Sequence, residues 1–324
     1  MKNIVIRCGL SAAALLVLSA GCGVTGPDFS LEFPFYFLQD VSTSSLPLHC
    51  SYLRSGDDGI AATGDSLYFI NYQQGYCAAR VGVQGYTIED VGATAEGGYA
   101  LALCGNLLFY VSDGTYVVNG PVVLGSYGRF ILTDTQGGNW HLFSVGANGT
   151  VTTINSQSWD VTAVDSVPGL SDPVAAVITA DGSAIFVADG GDDTVKKIPA
   201  GNPGSVSAEC QVPGGVADLY AGTGGLVYVA PDSLSQIWGI DTGTGQHYST
   251  WEISSPARSV AVTPDGKYIF AAHRNSGLSV VNAQNEEVEA STGDYGTIFD
   301  VAVNASGSRA IICSNLDKII SLEK

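Results

Sequence analysis

Two nine-residue stretches of this sequence, 84 positions apart, correspond residue for residue: Ala180-Asp181-Gly182-Ser183-Ala184-Ile185-Phe186-Val187-Ala188 and Pro264-Asp265-Gly266-Lys267-Tyr268-Ile269-Phe270-Ala271-Ala272. Each reads as a turn followed by an apolar strand. Gly224 before Leu226-Val227-Tyr228-Val229-Ala230, and Gly307 before Ala310-Ile311-Ile312-Cys313, fall into the same frame, so the turn glycines 182, 224, 266 and 307 are spaced by 42, 42 and 41. Projected backwards, the frame meets Gly138, Gly98 and Gly64, which makes seven units. Within a unit, short runs rich in Val, Ile, Tyr and Phe are bounded by Gly, Asp and Asn, and no segment sustains helical periodicity. About 42 residues holding four strands is the size of a propeller blade, which buries its two faces only by stacking on its neighbours.

The expected fold is therefore an all-β, seven-bladed β-propeller with an N-terminal strand closing the last blade. The last unit offers three strands, Phe299 to Val303, Arg309 to Cys313 and Lys318 to Leu322, and then the chain ends. Leu46 to Leu53 is assigned as the missing fourth strand, which would remove an exposed sheet edge. The apolar stretch Leu31 to Leu38 packs along the rim or adds a strand.

The first residues read as an address. Lys2 and Arg7 precede an apolar run from Leu10 to Leu18 that is too short to span a bilayer. The sequence Leu18-Ser19-Ala20-Gly21-Cys22 that follows resembles the lipobox of bacterial lipoproteins. The resemblance implies a signal peptide at residues 1–21, cut before Cys22, and a lipid on the Cys22 sulfur. Residues 22–29 would then form a short tether, and residues 30–324 the propeller. Gly23 rather than Asp after Cys22 resembles outer-membrane sorting in a host with two membranes. Net charge is −18, and loss of Lys2 and Arg7 makes it 11 − 31 = −20. That charge argues against nucleic acid as a partner, while 45% hydrophobic residues argue against disorder.

Val262-Thr263-Pro264-Asp265-Gly266, with Tyr268-Ile269-Phe270-Ala271-Ala272-His273 and Leu278-Ser279-Val280-Val281-Asn282, resembles the YVTN-type propeller repeat, a family similar to the quinoprotein amine dehydrogenase-like propellers. The resemblance covers about Asp172 to Lys324. The tryptophan-aspartate repeat family fits less well, because no third strand ends in Trp-Asp.

Propellers place their sites on the face made by the loops entering each blade and by those between its second and third strands. That face is read as carrying Arg54, Asp57, Tyr72, Gln73, Gln74, Asp113, Asn148, Asp232, Asn275, Asp294, Tyr295, Asn315 and Asp317, besides two groups of interest. Arg258, His273 and Arg274 form a cationic patch, the candidate ligand contact. Asp189, Asp192 and Asp193, on a glycine-containing loop, are the candidate ligands for calcium, a hard cation that takes six or more oxygens. The ordinary reading of that loop is an acidic hairpin without the twelve-residue calcium pattern. Five cysteines remain after Cys8 and Cys22. Cys104 and Cys313, and likewise Cys50 and Cys210, are read as equivalent positions in distant blades, leaving Cys50 with Cys77 as the one cross-link to consider.

No nucleophile elbow, phosphate loop or zinc motif is present. The leading functional expectation is a membrane-anchored extracytoplasmic lipoprotein of the bacterial envelope, acting as a non-enzymatic binding or scaffold propeller. The alternative is a propeller hydrolase of lactone or ester type with a metal on the central axis. An electron-transfer role lacks a haem-binding Cys-x-x-Cys-His.

Overall fold

The computed structural model describes residues 36–42, 47–52, 58–71, 76–83, 85–94, 98–133, 141–275, 277–292, 295–316 and 318–323. Their regular structure is strand, arranged as seven four-stranded antiparallel sheets. β1 (Tyr36–Ser42) comes first in the chain. Blade 1 holds β2 (Pro47–Tyr52), β3 (Gly59–Thr63), β4 (Ser66–Asn71) and β5 (Tyr76–Gly82), and blade 2 holds β6 (Asp90–Ala93), β7 (Tyr99–Cys104), β8 (Leu107–Ser112) and β9 (Val118–Val123). Blade 3 holds β10 (Gly128–Thr133), β11 (His141–Gly146), β12 (Thr150–Asn155) and β13 (Val161–Ser166). Blade 4 holds β14 (Pro173–Ile178), β15 (Ala184–Asp189), β16 (Thr194–Pro199) and β17 (Ala208–Gln211). Blade 5 holds β18 (Val216–Ala221), β19 (Leu226–Pro231), β20 (Gln236–Asp241) and β21 (His247–Glu252). Blade 6 holds β22 (Ala257–Val262), β23 (Tyr268–His273), β24 (Leu278–Asn282) and β25 (Glu287–Thr292), and blade 7 has β26 (Ile298–Val303), β27 (Arg309–Ser314) and β28 (Lys318–Glu323). The protein is a seven-bladed β-propeller.

Alternation along the strands explains why the ring holds together. Successive side chains point to opposite faces of a sheet, and here both faces are covered by other blades. On β23, Phe270 and Ala272 join Ile298 and Ile312 of blade 7, while Ile269 and Ala271 join Ile237 and Tyr228 of blade 5. The second strands accordingly read as unbroken apolar runs, fully buried in β15 and β23. A cluster of this kind fills every seam between successive blades, including that between blades 7 and 1, where Cys50, Ala61 and Ile70 meet Ile311, Cys313 and Ile319.

The Thr-x-Asp-Gly turns close the first hairpins. Thr263 Oγ1 accepts the Tyr268 N–H at 3.0 Å and donates to Asp265 at 2.5 Å, and Thr179 does the same with Ala184 and Asp181. Asn304 replaces Thr in blade 7, its Oδ1 accepting the Arg309 N–H at 2.9 Å. Gly182, Gly266 and Gly307 adopt positive φ in these turns, and the equivalent in blade 5 is Gly225, not Gly224. Elsewhere a left-handed residue would be strained.

The structure corrects the frame of blade 1. Gly64 closes the β3–β4 hairpin, with Thr63 opposite Ser66, so it lies between the second and third strands rather than the first and second. A two-residue hairpin demands a left-handed glycine just as the Thr-x-Asp-Gly turn does, and Gly64 has φ 52°. In sequence, Gly56 stands 42 before Gly98 and keeps the period. Blade 1 therefore needs a strand ahead of β3, and Pro47–Tyr52 supplies it by pairing with β3, so Leu46 to Leu53 is not the fourth strand of blade 7. In that sheet the order is β1-β28-β27-β26, with Tyr36 opposite Glu323 and Ser42 opposite Lys318.

Candidate functional site

The innermost strands line a central channel, and one position on them repeats around the ring. The residues opposite the penultimate residue of each second strand are His49, Asp90, Phe130, Ala175, Asp218, Ser259 and Asp300, in blade order. In all but blade 2 a register shift immediately precedes this position, and such a bulge bends the strand and re-aims a side chain.

Three of the seven are aspartates that make one motif. Each accepts the N–H of the next residue on its own strand through one oxygen, and an N–H of the following blade through the other. Asp90 takes Val91 and Ile131, Asp218 takes Leu219 and Val260, and Asp300 takes Val301 and Cys50, all at 2.8 to 2.9 Å. Ser259 continues the sequence, donating to Asp300 at 2.9 Å. These carboxylates therefore clasp blade 2 to 3, 5 to 6 and 7 to 1. Burial pushes all three acids upward, Asp90 to about 6 and Asp218 to about 7, and the charge of Asp300 adds to the rise at Asp218. His49 Nδ1, 4.0 Å from Asp90, opposes the rise there.

A raised carboxyl holds its proton longer in the folded protein than in the unfolded chain. Stability from these groups is fullest below about pH 4 and falls as pH climbs towards 7. Asp189, held at about 2, has the opposite sign and loses stability only as pH drops from about 4 to 2. His273, whose pKa burial lowers, favours unfolding below its ordinary 6.5 and offsets part of the gain. With three acids against one histidine, we expect the melting temperature at pH 5 to exceed that at pH 7.5 by about 5 °C in equal ionic strength, read by calorimetry. The Asp90→Asn/Asp218→Asn variant should flatten that difference.

From this ring a cavity of about 510 Å³ runs down the channel, lined by Asp218, Asp300, Tyr220, Thr133, the Thr179, Thr223 and Thr263 turns, and Asn304. It is walled by hydroxyls, two carboxylates and apolar stems such as Val260 and Ala302, with no basic side chain among the described lining residues. Among the described residues no group of three or more His, Cys, Asp or Glu is placed to hold a metal ion.

The residues singled out in the sequence lie away from this channel wall. His273 is buried, its Nε2 2.6 Å from Ser279 Oγ and its Nδ1 2.9 Å from the Ser255 carbonyl. Arg274 pairs with Asp232 of blade 5, and Arg258 lies 4.7 Å over the Phe299 ring of blade 7. Each of the three thus has its own partner in a different direction. Around the acidic loop, Asp189 accepts the N–H groups of Ser171, Asp172 and Gly191, and the ammonium of Lys196 lies 3.2 Å from Asp189 and 2.6 Å from Asp192. A buried lysine stands where a cation between these carboxylates would be. Asp193 turns outward with φ 57°, as the exposed corner of the hairpin.

The strand order also sorts the loops. Asp192, Asp193, Asp232, Arg274 and Asn315 lie on connections between second and third strands and Asp189 ends the second strand of blade 4, whereas Asp113 follows the third strand of blade 2 and belongs to the opposite face. Arg54, Asp57, Tyr72 to Gln74, Asp294, Asp317 and the Cys22 segment lie outside the described residues. Cys50 and Cys210 are not equivalent, since one is on a first strand and the other on a fourth. Cys50 and Cys77 sit at opposite edges of the blade 1 sheet, about 14 Å apart at the usual strand spacing, beyond disulfide reach.

The aspartate ring escaped the sequence reading. Its signal was an Asp, Ser or Ala seven residues before the turn glycine: 225 − 218, 266 − 259, 307 − 300 and 182 − 175. No family model matches the chain, and no curated protein matches it; its architecture rests on the seven sheets.

Proposed function

We propose that this chain is a lipid-anchored extracytoplasmic binding propeller of the bacterial envelope, whose central cavity takes a small uncharged or cationic solute. The observation that carries the binding reading is the cavity itself, about 510 Å³ and lined by hydroxyls and the Asp218 and Asp300 carboxyls. A wall whose described residues include two acids and no base disfavours anions. The oxygens of both carboxyls are already engaged by backbone N–H groups, which fits recognition better than metal-assisted hydrolysis, where carboxylates must converge on an ion. The anchor rests on the sequence Leu18-Ser19-Ala20-Gly21-Cys22, and YVTN-type repeats on the match of blades 4 to 6 to that pattern. We also read the β1–β28 pairing as the latch that completes blade 7.

The test has two arms. Cys22→Ala should abolish incorporation of labelled fatty acid and move the protein from the membrane to the soluble fraction; retention on membranes without label would refute the anchor. For binding, polyols, sugars and small ammonium compounds are screened by thermal shift against the wild type and Ala302→Leu, which narrows the channel. A solute that raises the wild-type melting temperature but not the variant's supports the cavity. Equal shifts in both place binding elsewhere.

A further inference from the structure

The seam between the first and last blades carries two thiols that belong to opposite ends of the chain. Cys50 on β2 and Cys313 on β27 share one buried cluster, with 8% and 0% of their surface exposed. Asp300 holds their backbones side by side. The Cys50 N–H donates to Asp300 Oδ2 at 2.8 Å, and Asp300 stands directly opposite Cys313 in the β26–β27 pairing. The Cys50 side chain points across the same seam, its Sγ 3.8 Å from the Ile311 carbonyl, two residues from Cys313. Both thiols are free in this structure, and the strands that carry them, β2 and β27, pack against each other across the seam. Of the remaining described cysteines, Cys77 packs against the margin of the same cluster, half-buried and with its Sγ on the Ala79 carbonyl of its own strand, while Cys104 lies in the seam of blades 1 and 2 and Cys210 in that of blades 4 and 5.

We infer that Cys50 and Cys313 are a disulfide pair that staples blade 7 to blade 1 when the chain folds in the presence of a disulfide oxidant. One cysteine thiolate attacks the oxidant's S–S bond, forming a mixed disulfide and expelling one thiolate. The second cysteine thiolate then attacks the protein sulfur of that mixed disulfide, forming the Cys50–Cys313 bond and expelling the second thiolate. Two protons leave the protein, and its two electrons reduce the oxidant to two thiols. Burial holds both native thiols protonated, so the bridge forms while the seam is open and not on the closed ring.

The full chain is denatured, reduced, and refolded in a buffer of reduced and oxidised glutathione, then alkylated and digested. A Cys50–Cys313 linked peptide should appear during refolding, at least tenfold faster than when folded, reduced protein meets the same buffer. The bridged form should melt about 5 °C above the same sample after reduction. Cys50→Ala and Cys313→Ala should each abolish the linked peptide, while Cys77→Ala leaves it. Native-like refolding with both cysteines alkylated, or a Cys50–Cys77 linkage instead, would overturn it.

Discussion

Replacing Lys196 with Met should lower stability by about 3–5 kcal/mol, read as a urea midpoint shift with unchanged slope. The lysine side chain is 1% exposed, and its ammonium bonds Asp189, Asp192 and Thr194. Burial alone would push its pKa down, but hydrogen bonds to the two carboxylates outweigh that push and hold it charged. Its removal leaves Asp189, itself buried, as an uncompensated charge. Asp192→Asn should cost far less, because that carboxylate is 46% exposed and water replaces its partner. If Lys196→Met falls within about 1 kcal/mol of wild type, the ion pair is not what organises this loop. Calcium at millimolar concentration should not rescue the variant if the site is built for an ammonium.

Removing the carboxylate of Asp300 should cost about 3–5 kcal/mol. Asp300→Ala removes the acceptor of the Cys50 N–H and of the Ser259 hydroxyl and leaves the Val301 N–H only its longer bond to Ser259 Oγ, at 3.3 Å. Asp300→Asn keeps the shape and one acceptor, and should cost less than half as much. Because burial already pushes the Asp300 pKa up, the Asn variant should also lose less at pH 7.5 than its missing hydrogen bond suggests. Hydrogen exchange offers a second readout: in Asp300→Ala the protection lost should concentrate on β2 and β26, the strands it joins. Uniform loss over all seven blades would mean that Asp300 acts on global stability and not on this seam.

How much was legible in the sequence divides along physical lines. The period of 42 could be read because each blade repeats the same turn, and Thr263-Pro264-Asp265-Gly266 announces itself locally. The count of seven followed. The phase within blade 1 could not be read the same way, since Gly64 in a two-residue hairpin and Gly182 in a Thr-x-Asp-Gly turn present the same residue for the same backbone reason. Sites fared worse because they depend on neighbours far along the chain. His273 looked like a ligand contact beside two arginines, but its ring is taken up by Ser279 and Ser255. Asp189 and Asp192 looked like cation ligands, and Lys196, in the same stretch, is the cation they hold. The aspartates at 90, 218 and 300 looked like nothing, because each takes its meaning from a backbone N–H some 40 residues later or, for Asp300, 250 residues earlier.

That last separation bears on biosynthesis. A ribosome or export channel delivers β2 long before β26 and β27 exist, so the inner strand of blade 1 waits, with one flank bare, for almost the whole length of translation. The contacts at this junction join residues about 250 positions apart, so the seam closes only after the final strands arrive. A chain stalled or clipped near residue 300 would leave six stacked sheets in an open arc with two sticky ends. For such a product, chaperone holding and proteolytic clearance, more than intrinsic stability, would decide its fate.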